Sequence, residues 1–199
     1  MISEYPLFLG LKMIILKFTE NFKNMNVYLF KACYIRNGTN NNEERKKEPM
    51  TFKIETLPNY RIAYMRRVGP YGPANIEVME KLKKWAKKKD LLESAILFVI
   101  PQDNPETTLP DHCRFDACIV IPHDYQVDDS VFEGEISGGQ YLIYDVKHTA
   151  EDIQKAYSDI FSSLQNNEYQ LDNRPMMEKY MGDMVNNPYC EICVPLKSV

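Results

Sequence analysis

The stretches YRIAYMRRV (residues 60–68) and QYLIYDVK (residues 140–147) decide the fold, because each opens one of two similar halves of the chain. Both are rich in aromatic and β-branched residues, which predicts a strand. Each is followed by a segment with helical spacing of apolar residues and then by two more strand-like stretches. From residue 50 onward the sequence therefore predicts strand, helix, strand, strand, twice over.

Local signals support this order in both halves. The turn at residues 69–73 (GPYGP) places Pro where a first helix begins, a position that favours proline. Thr149, with Asp152 three residues later, predicts the capped start of the second helix. The other strands are expected at residues 95–100, 113–121, 176–181 and 190–196.

The two halves also align residue by residue. Arg61–Met65 matches Tyr141–Asp145, and Asp116–Pro122 matches Glu191–Pro195. A single strand–helix–strand–strand unit cannot cover its own sheet, so two of them are expected to join about a pseudo-twofold axis. The predicted fold is α+β: two pseudo-twofold strand–helix–strand–strand modules, a curved antiparallel sheet and a central cleft, where ligand sites tend to form.

Residues 1–49 differ from the rest of the chain. Lys12 and Lys17 interrupt their apolar run, which is too short to predict a membrane span, and residues 39–49 (TNNNEERKKEP) have the composition of a linker. We expect residues 1–49 to be a poorly packed extension and residues 50–199 to form the domain. The alternative is an arm that binds a membrane surface or a partner.

The net charge and the cysteines limit the kinds of ligand and site that the sequence supports. The formal net charge is −4, and the acidic excess lies in residues 50–199, so direct DNA binding is not expected and cationic ligands are favoured. Cys190 and Cys193 form a CxxC pattern, but within a strand they point to opposite faces, so we expect neither a redox pair nor a metal site. No cofactor is expected. Reduced thiols suggest a cytoplasmic protein.

Glu178 is the most informative polar residue, because it lies inside the apolar stretch MMEKYM (residues 176–181) on the same strand face as Tyr180. A carboxylate among aromatic rings suits an organic cation, through charge pairing and cation–π attraction. The alternative is an ordinary surface glutamate paired with Arg174 or Lys179. Six further aromatic residues are candidates for the walls of the same cleft: Tyr64, Tyr71, Trp85, Phe98, Tyr141 and Tyr144.

Three residues near the predicted site, Trp85, Asp116 and Glu191, can also be explained by a purely structural role. Trp85 follows helical spacing and is as well explained as a core residue. Asp116 and Glu191 occupy matching positions of the repeat, either as groups that support the site or as outward faces of edge strands. The chain has three histidines, which are scattered, and no nucleophile motif is present, so no catalytic residue is assigned.

Six stretches resemble one known family. They are VGPYG (68–72), DNP (103–105), RFDAC (114–118), GGQY (138–141), RPMMEKY (174–180) and CEICVPL (190–196). In this order they resemble the GyrI-like small-molecule-binding domain. That domain is found alone in SbmC-type DNA gyrase inhibitors and as the effector-binding half of AraC-type and MerR-type regulators. The resemblance covers residues 50–199 and leaves residues 1–49 out.

The resemblance implies two modules around a ligand cleft, with a carboxylate in the penultimate strand that contacts the ligand, and Glu178 matches that position. It implies a stand-alone protein that binds amphipathic, cationic small molecules and acts with DNA gyrase or with a separate regulator. The alternative it offers is a hydrolase of reactive, cyclopropane-bearing toxins that uses Glu178. We expect binding rather than catalysis.

Overall fold

The computed structural model describes residues 52–105, 107–165, 169–181 and 188–197, so the expected extension at 1–49 lies outside the described residues. The first half contains four strands and one long helix: β1 (Phe52–Leu57), β2 (Tyr60–Val68), α1 (Ala74–Lys88), β3 (Ile96–Pro101) and β4 (Arg114–Val120). The second half repeats the order: β5 (Phe132–Ile136), β6 (Gly139–Lys147), α2 (Ala150–Gln165), β7 (Met177–Met181) and β8 (Tyr189–Pro195). A 3₁₀ turn, Pro110–His112, precedes β4.

The eight strands form one antiparallel sheet, curled into a half-barrel, in the order β1-β6-β8-β7-β3-β4-β2-β5. This order matches itself when it is reversed and the halves are exchanged, so β2 corresponds to β6, β3 to β7 and β4 to β8. The lengths agree as well: β2 and β6 have 9 residues each, and β4 and β8 have 7 residues each. The predicted α+β fold with two related modules is confirmed.

Each half has one strand that the sequence did not predict. β1 belongs to the first half but pairs with β6 of the second, and β5 belongs to the second half but pairs with β2 of the first. The halves therefore exchange their first strands. Both are edge strands in which only the last residue, Leu57 or Ile136, is buried, so neither carries a clear alternation of apolar and polar residues.

The predicted alignment of the halves is wrong by one residue in the strands β2 and β6. Arg66 pairs with Asp116 across β2 and β4, and Asp145 pairs with Glu191 across β6 and β8. Since Asp116 and Glu191 correspond, Arg66 corresponds to Asp145, and Tyr64 does not correspond to Tyr144. A shift of one residue moves a strand side chain to the other face of the sheet.

The two faces of the sheet are covered differently. The helix face packs against apolar side chains of α1 and α2, including Val78, Leu82, Ala156 and Ile160, to form the larger core. The second core, on what we call the open face, draws only on strand residues such as Phe98. The spacing of the apolar residues gives each helix one buried stripe, and both stripes pack on this face of the sheet.

The start of α2 follows the predicted cap. The backbone N–H of Asp152 donates to Thr149 Oγ1 at 3.1 Å, which satisfies one of the free donors of the first turn. Neither helix, nor any other in the described ranges, has the length and apolar character needed to span a membrane.

Candidate ligand-binding site

Glu178 lies near the centre of the sheet, on the helix face of β7, with 4% of the residue exposed. The Tyr180 hydroxyl donates to Glu178 Oε2 at 2.5 Å, and the Tyr157 hydroxyl of α2 donates to Oε1 at 3.4 Å. The predicted shared face of Glu178 and Tyr180 is therefore confirmed, and both carboxylate oxygens accept from buried phenols.

The carboxylate has no cationic partner among the described residues. Lys179 points to the open face, where its Nζ lies 2.8 Å from Glu191 Oε2, and Arg174 pairs with Asp172. The alternative of an ordinary surface glutamate is therefore wrong. Burial raises the pKa of Glu178 above its usual value, although hydrogen bonds from the two phenols oppose the rise.

The pseudo-twofold axis passes beside this carboxylate. Val99 of β3 pairs directly with Glu178 of β7, and these two positions correspond under the exchange of the halves. One half supplies a valine at the junction of the modules and the other supplies the carboxylate. The repeat thus explains the central location of Glu178, and its charge is the feature that breaks the symmetry there.

A histidine packs against Tyr180, one of the two phenols that donate to Glu178. The imidazole of His148 lies edge-on to the Tyr180 ring, with ring centroids 4.9 Å apart. Partial removal from water and the nearby charge of Lys83 on α1 lower the pKa of His148. Burial raises the pKa of the Tyr157 and Tyr180 hydroxyls well above their usual value, so both remain hydrogen-bond donors at neutral pH.

Three of the predicted wall residues lie on the other side of the sheet. Tyr64, Phe98 and Tyr141 belong to or pack against the open-face core, whereas Glu178 faces the helices. The expectation that all eight residues line one cleft is therefore wrong. The reason is strand register, since the alternation of side chains places these three residues on the opposite face.

The remaining aromatic candidates hold structure together on the helix side. The Tyr71 hydroxyl donates to the carbonyl oxygen of Arg114 at 2.8 Å and accepts from the N–H of Asp103 at 3.1 Å. The Trp85 indole N–H donates to Asp128 Oδ1 at 3.1 Å, and Tyr144 packs against Phe52 with ring centroids 5.5 Å apart. The core interpretation of Trp85 is confirmed.

Tyr157 is a site residue that the sequence patterns did not predict. It lies on the buried stripe of α2 with Ile153, Ala156 and Ile160. A tyrosine in such a stripe needs a partner for its hydroxyl, and a strand carboxylate without a cation needs a donor. The need of a buried hydroxyl for an acceptor, and of the Glu178 carboxylate for a donor, was the signal that could have identified Tyr157.

The buried acidic residue of the open face, Asp116, is fully paired. Both carboxylate oxygens of Asp116 accept from the Arg66 guanidinium at 2.6 Å, and Oδ2 also accepts from Gln102 at 2.8 Å. Cys190 and Cys193 fall in different cores, as the strand prediction requires. In the ranges described, no group of three or more His, Cys, Asp or Glu side chains is arranged to hold a metal ion.

Comparison with known proteins agrees with this architecture. A family model described as the GyrI-like small molecule binding domain matches residues 50–197. YosT, an SPbeta prophage-derived protein of Bacillus subtilis that is named as a transcriptional regulator, is 36% identical over 149 residues, which cover 74% of this chain and 100% of YosT. A DNA gyrase inhibitor of Citrobacter rodentium is 26% identical over 147 residues, covering 72% of this chain and 93% of the inhibitor.

Among solved structures, SAV2435 bound to tetraphenylphosphonium shares the fold, with a TM-score of 0.51 and 13% identity over 75% of this chain and 95% of that one. The extent of the family match and the identity to YosT lead to one conclusion. The chain belongs to the family of GyrI-like small molecule binding domains.

Proposed function

We propose that the protein binds amphipathic organic cations and that the Glu178 carboxylate supplies the counter-charge. The observation that carries this proposal is a carboxylate that is 4% exposed, held by two phenols and without a cation among the described residues. An unpaired buried charge costs several kcal/mol, so a protein keeps such a group neutral or gives it a cationic partner. A bound cation would be that partner.

The surroundings of Glu178 suit a large, weakly hydrated cation. The Tyr157 and Tyr180 rings lie next to the carboxylate, His148 packs against Tyr180, and these rings can offer cation–π and apolar contacts. A compact ammonium ion would lose its hydration without recovering such contacts. The related fold of SAV2435, bound to tetraphenylphosphonium, supports the same ligand class.

Ligand access requires movement on the helix face. Because 4% of Glu178 and 5% of Tyr180 are exposed, a cation reaches the carboxylate only when side chains over β7 move aside. The observed affinity therefore includes the cost of populating that open arrangement.

The contacts favour binding over hydrolysis. In the part of the chain that the structure describes, the hydrogen-bond partners of the Glu178 carboxylate are two phenols with raised pKa values, and no second acid or base joins them. General acid–base hydrolysis requires such a partner or a bound water at a defined position. We therefore retain a binding protein as the proposed function. Coupling to DNA gyrase or to transcription rests on the names of the relatives.

The direct test measures tetraphenylphosphonium affinity by calorimetric titration. Glu178→Gln keeps the shape and the acceptor oxygen but removes the charge, so we expect affinity to fall at least about tenfold, the scale of one charge-assisted contact. Glu93→Gln removes the same charge from an exposed position and should leave the affinity unchanged. Tetraphenylborate, which has the same shape and opposite charge, should bind the wild type more weakly than the cation.

Equal tetraphenylphosphonium affinity of the wild type and Glu178→Gln would refute the proposal. A preference of the wild type for tetraphenylborate would refute it as well, because apolar contacts alone would then explain binding.

A further inference from the structure

A cavity of about 270 Å³ lies on the open face beside β2, so the thickness of the sheet separates it from Glu178. Its lining includes Tyr64, Arg66, Asp116, Gly134 and Tyr141. The GyrI-like ligand site proposed above does not use any of these side chains.

Arg66 presents an unused hydrogen-bonding edge at this cavity. Its Nε and Nη2 donate to the two oxygens of Asp116, both at 2.6 Å, in a side-on arrangement. Asp116 is 3% exposed, whereas 30% of the Arg66 side chain remains exposed. Among the described residues no acceptor is bound to Nη1, so the end-on edge of the guanidinium is available to a ligand oxygen.

The Tyr64 ring supplies a flat wall beside that edge, whereas the buried Tyr141 ring is covered by Arg174. The Arg66 guanidinium carbon lies 5.3 Å from the centroid of the Tyr64 ring, and that of Arg174 lies 4.7 Å from the centroid of the Tyr141 ring. Gly134 makes room for Tyr64, because a Cβ at this position would lie 3.2 Å from the ring. The hydroxyl of Tyr141 is fixed by the Ser137 carbonyl oxygen at 2.9 Å.

In the corresponding region beside β6, Lys53, Glu55, Lys179 and Glu191 form a network of ion pairs. Glu55 corresponds to Gly134, Glu191 to Asp116 and Lys179 to Ile100, as the strand registers show. Lys53 Nζ lies 3.0 Å from Glu55 and 3.3 Å from Glu191, and Lys179 Nζ lies 2.8 Å from Glu191. The same arrangement of strands holds an ion-pair network beside β6 and a cavity with a free donor edge beside β2.

We propose that this cavity is a second ligand site, for planar aromatic compounds that carry a carboxylate or carbonyl oxygen. The oxygen accepts from the end-on edge of the Arg66 guanidinium, and the ring lies against Tyr64. Since Asp116 already balances the charge of Arg66, acids and neutral amides are both acceptable ligands, whereas an ammonium group cannot accept a hydrogen bond from Arg66. The proposal does not depend on the function of Glu178.

The test uses three naphthalene probes of equal ring size, titrated by fluorescence against the whole chain. With the Glu178 site saturated by tetraphenylphosphonium, we expect 2-naphthoate and 2-naphthamide to bind, and (2-naphthyl)methylammonium, which lacks an acceptor oxygen, to bind at least about tenfold more weakly. Saturating tetraphenylphosphonium should not displace 2-naphthoate, because the two sites lie on opposite faces of the sheet. Displacement in proportion to occupancy would overturn the proposal.

Gly134→Val places a side chain against the Tyr64 ring, so the new side chain and the displaced ring together occupy the cavity. It should weaken 2-naphthoate binding at least about tenfold and leave tetraphenylphosphonium affinity as in the wild type. The double variant Arg66→Gln with Asp116→Asn, which removes both members of the ion pair, should also weaken 2-naphthoate binding. Circular dichroism establishes that each variant is folded. Unchanged 2-naphthoate affinity in a folded variant of either kind would overturn the proposal.

Discussion

The two faces of the sheet handle buried charge in opposite ways. Among the described residues, the buried charged side chains are Asp116, Glu178 and Lys179, with 3%, 4% and 7% of each residue exposed. On the open face, Asp116 and Lys179 each have a partner of opposite charge within 2.8 Å. On the helix face, Glu178 has phenols only. The buried charges on the open face are thus paired within the fold, whereas the Glu178 carboxylate on the helix face has no cationic partner among the described residues.

The difference follows from what each partner can do. An arginine held side-on against a carboxylate recovers much of the desolvation cost of both groups. A phenol donates a hydrogen bond but brings no net charge, so Glu178 lowers its cost by holding a proton, and its pKa rises. Removing a charge from the open face should therefore lower the free energy of unfolding. Removing the charge of Glu178 from the helix face should raise it at a pH where the carboxyl group would be ionised.

The largest expected effect comes from breaking a pair on the open face. Arg66→Ala leaves Asp116 buried without its cation, and we expect the free energy of unfolding to fall by roughly 3 kcal/mol, less than for a fully buried pair because Arg66 is partly exposed. Urea denaturation measures the change. Lys84→Ala, which removes an exposed cation from α1, is the matched control and should change stability little.

A loss in Arg66→Ala as small as that in Lys84→Ala would contradict the comparison. It would mean that Asp116 does not depend on its ion pair.

A smaller effect is expected from the pH dependence of stability. Because the pKa of Glu178 is higher in the folded than in the unfolded protein, the folded state binds more protons, and unfolding free energy falls as pH rises from about 4.5 through the folded-state pKa. His148 acts with the opposite sign, since its pKa is lowered on folding and charging it at low pH opposes folding. The difference between wild type and Glu178→Gln cancels the His148 contribution.

Above about pH 4.5 we expect Glu178→Gln to become more stable relative to the wild type as the pH rises. The difference in unfolding free energy should grow by about 1.4 kcal/mol for each pH unit in which Glu178 is protonated in the folded protein but ionised in the unfolded chain. Thermal or urea unfolding across this pH range measures it. A difference that does not change with pH would show that the Glu178 pKa is not raised by folding.

The sequence was sufficient for the repeat and its elements because their signals are local. Alternation in residues 60–68, the cap at Thr149 and the turn at residues 69–73 each predict structure within a few residues of themselves. The edge strands β1 and β5 give no such signal, because FKIETL and FEGEI each bury only their last residue. Their exchange between the halves depends on pairing across the whole fold.

The site was only partly predictable for a related reason. The spacing of Glu178 and Tyr180 fixes their common face, but the positions of Tyr64, Phe98 and Tyr141 relative to Glu178 depend on which face each strand turns to the helices. The one-residue error in aligning β2 with β6 had the same cause, since internal similarity does not fix register. Tyr157 comes from a separate element, α2, and its contact with Glu178 is set by helix packing.

Proton release on ligand binding tests the central claim most directly. If a cation becomes the partner of the Glu178 carboxylate, binding lowers the pKa of that group and expels its proton. Calorimetric titration with tetraphenylphosphonium in buffers of different ionisation enthalpy should show protons released near the pKa of the free protein, none with Glu178→Gln, and tighter binding as pH rises through that pKa. Binding with equal proton release in both proteins would contradict the account.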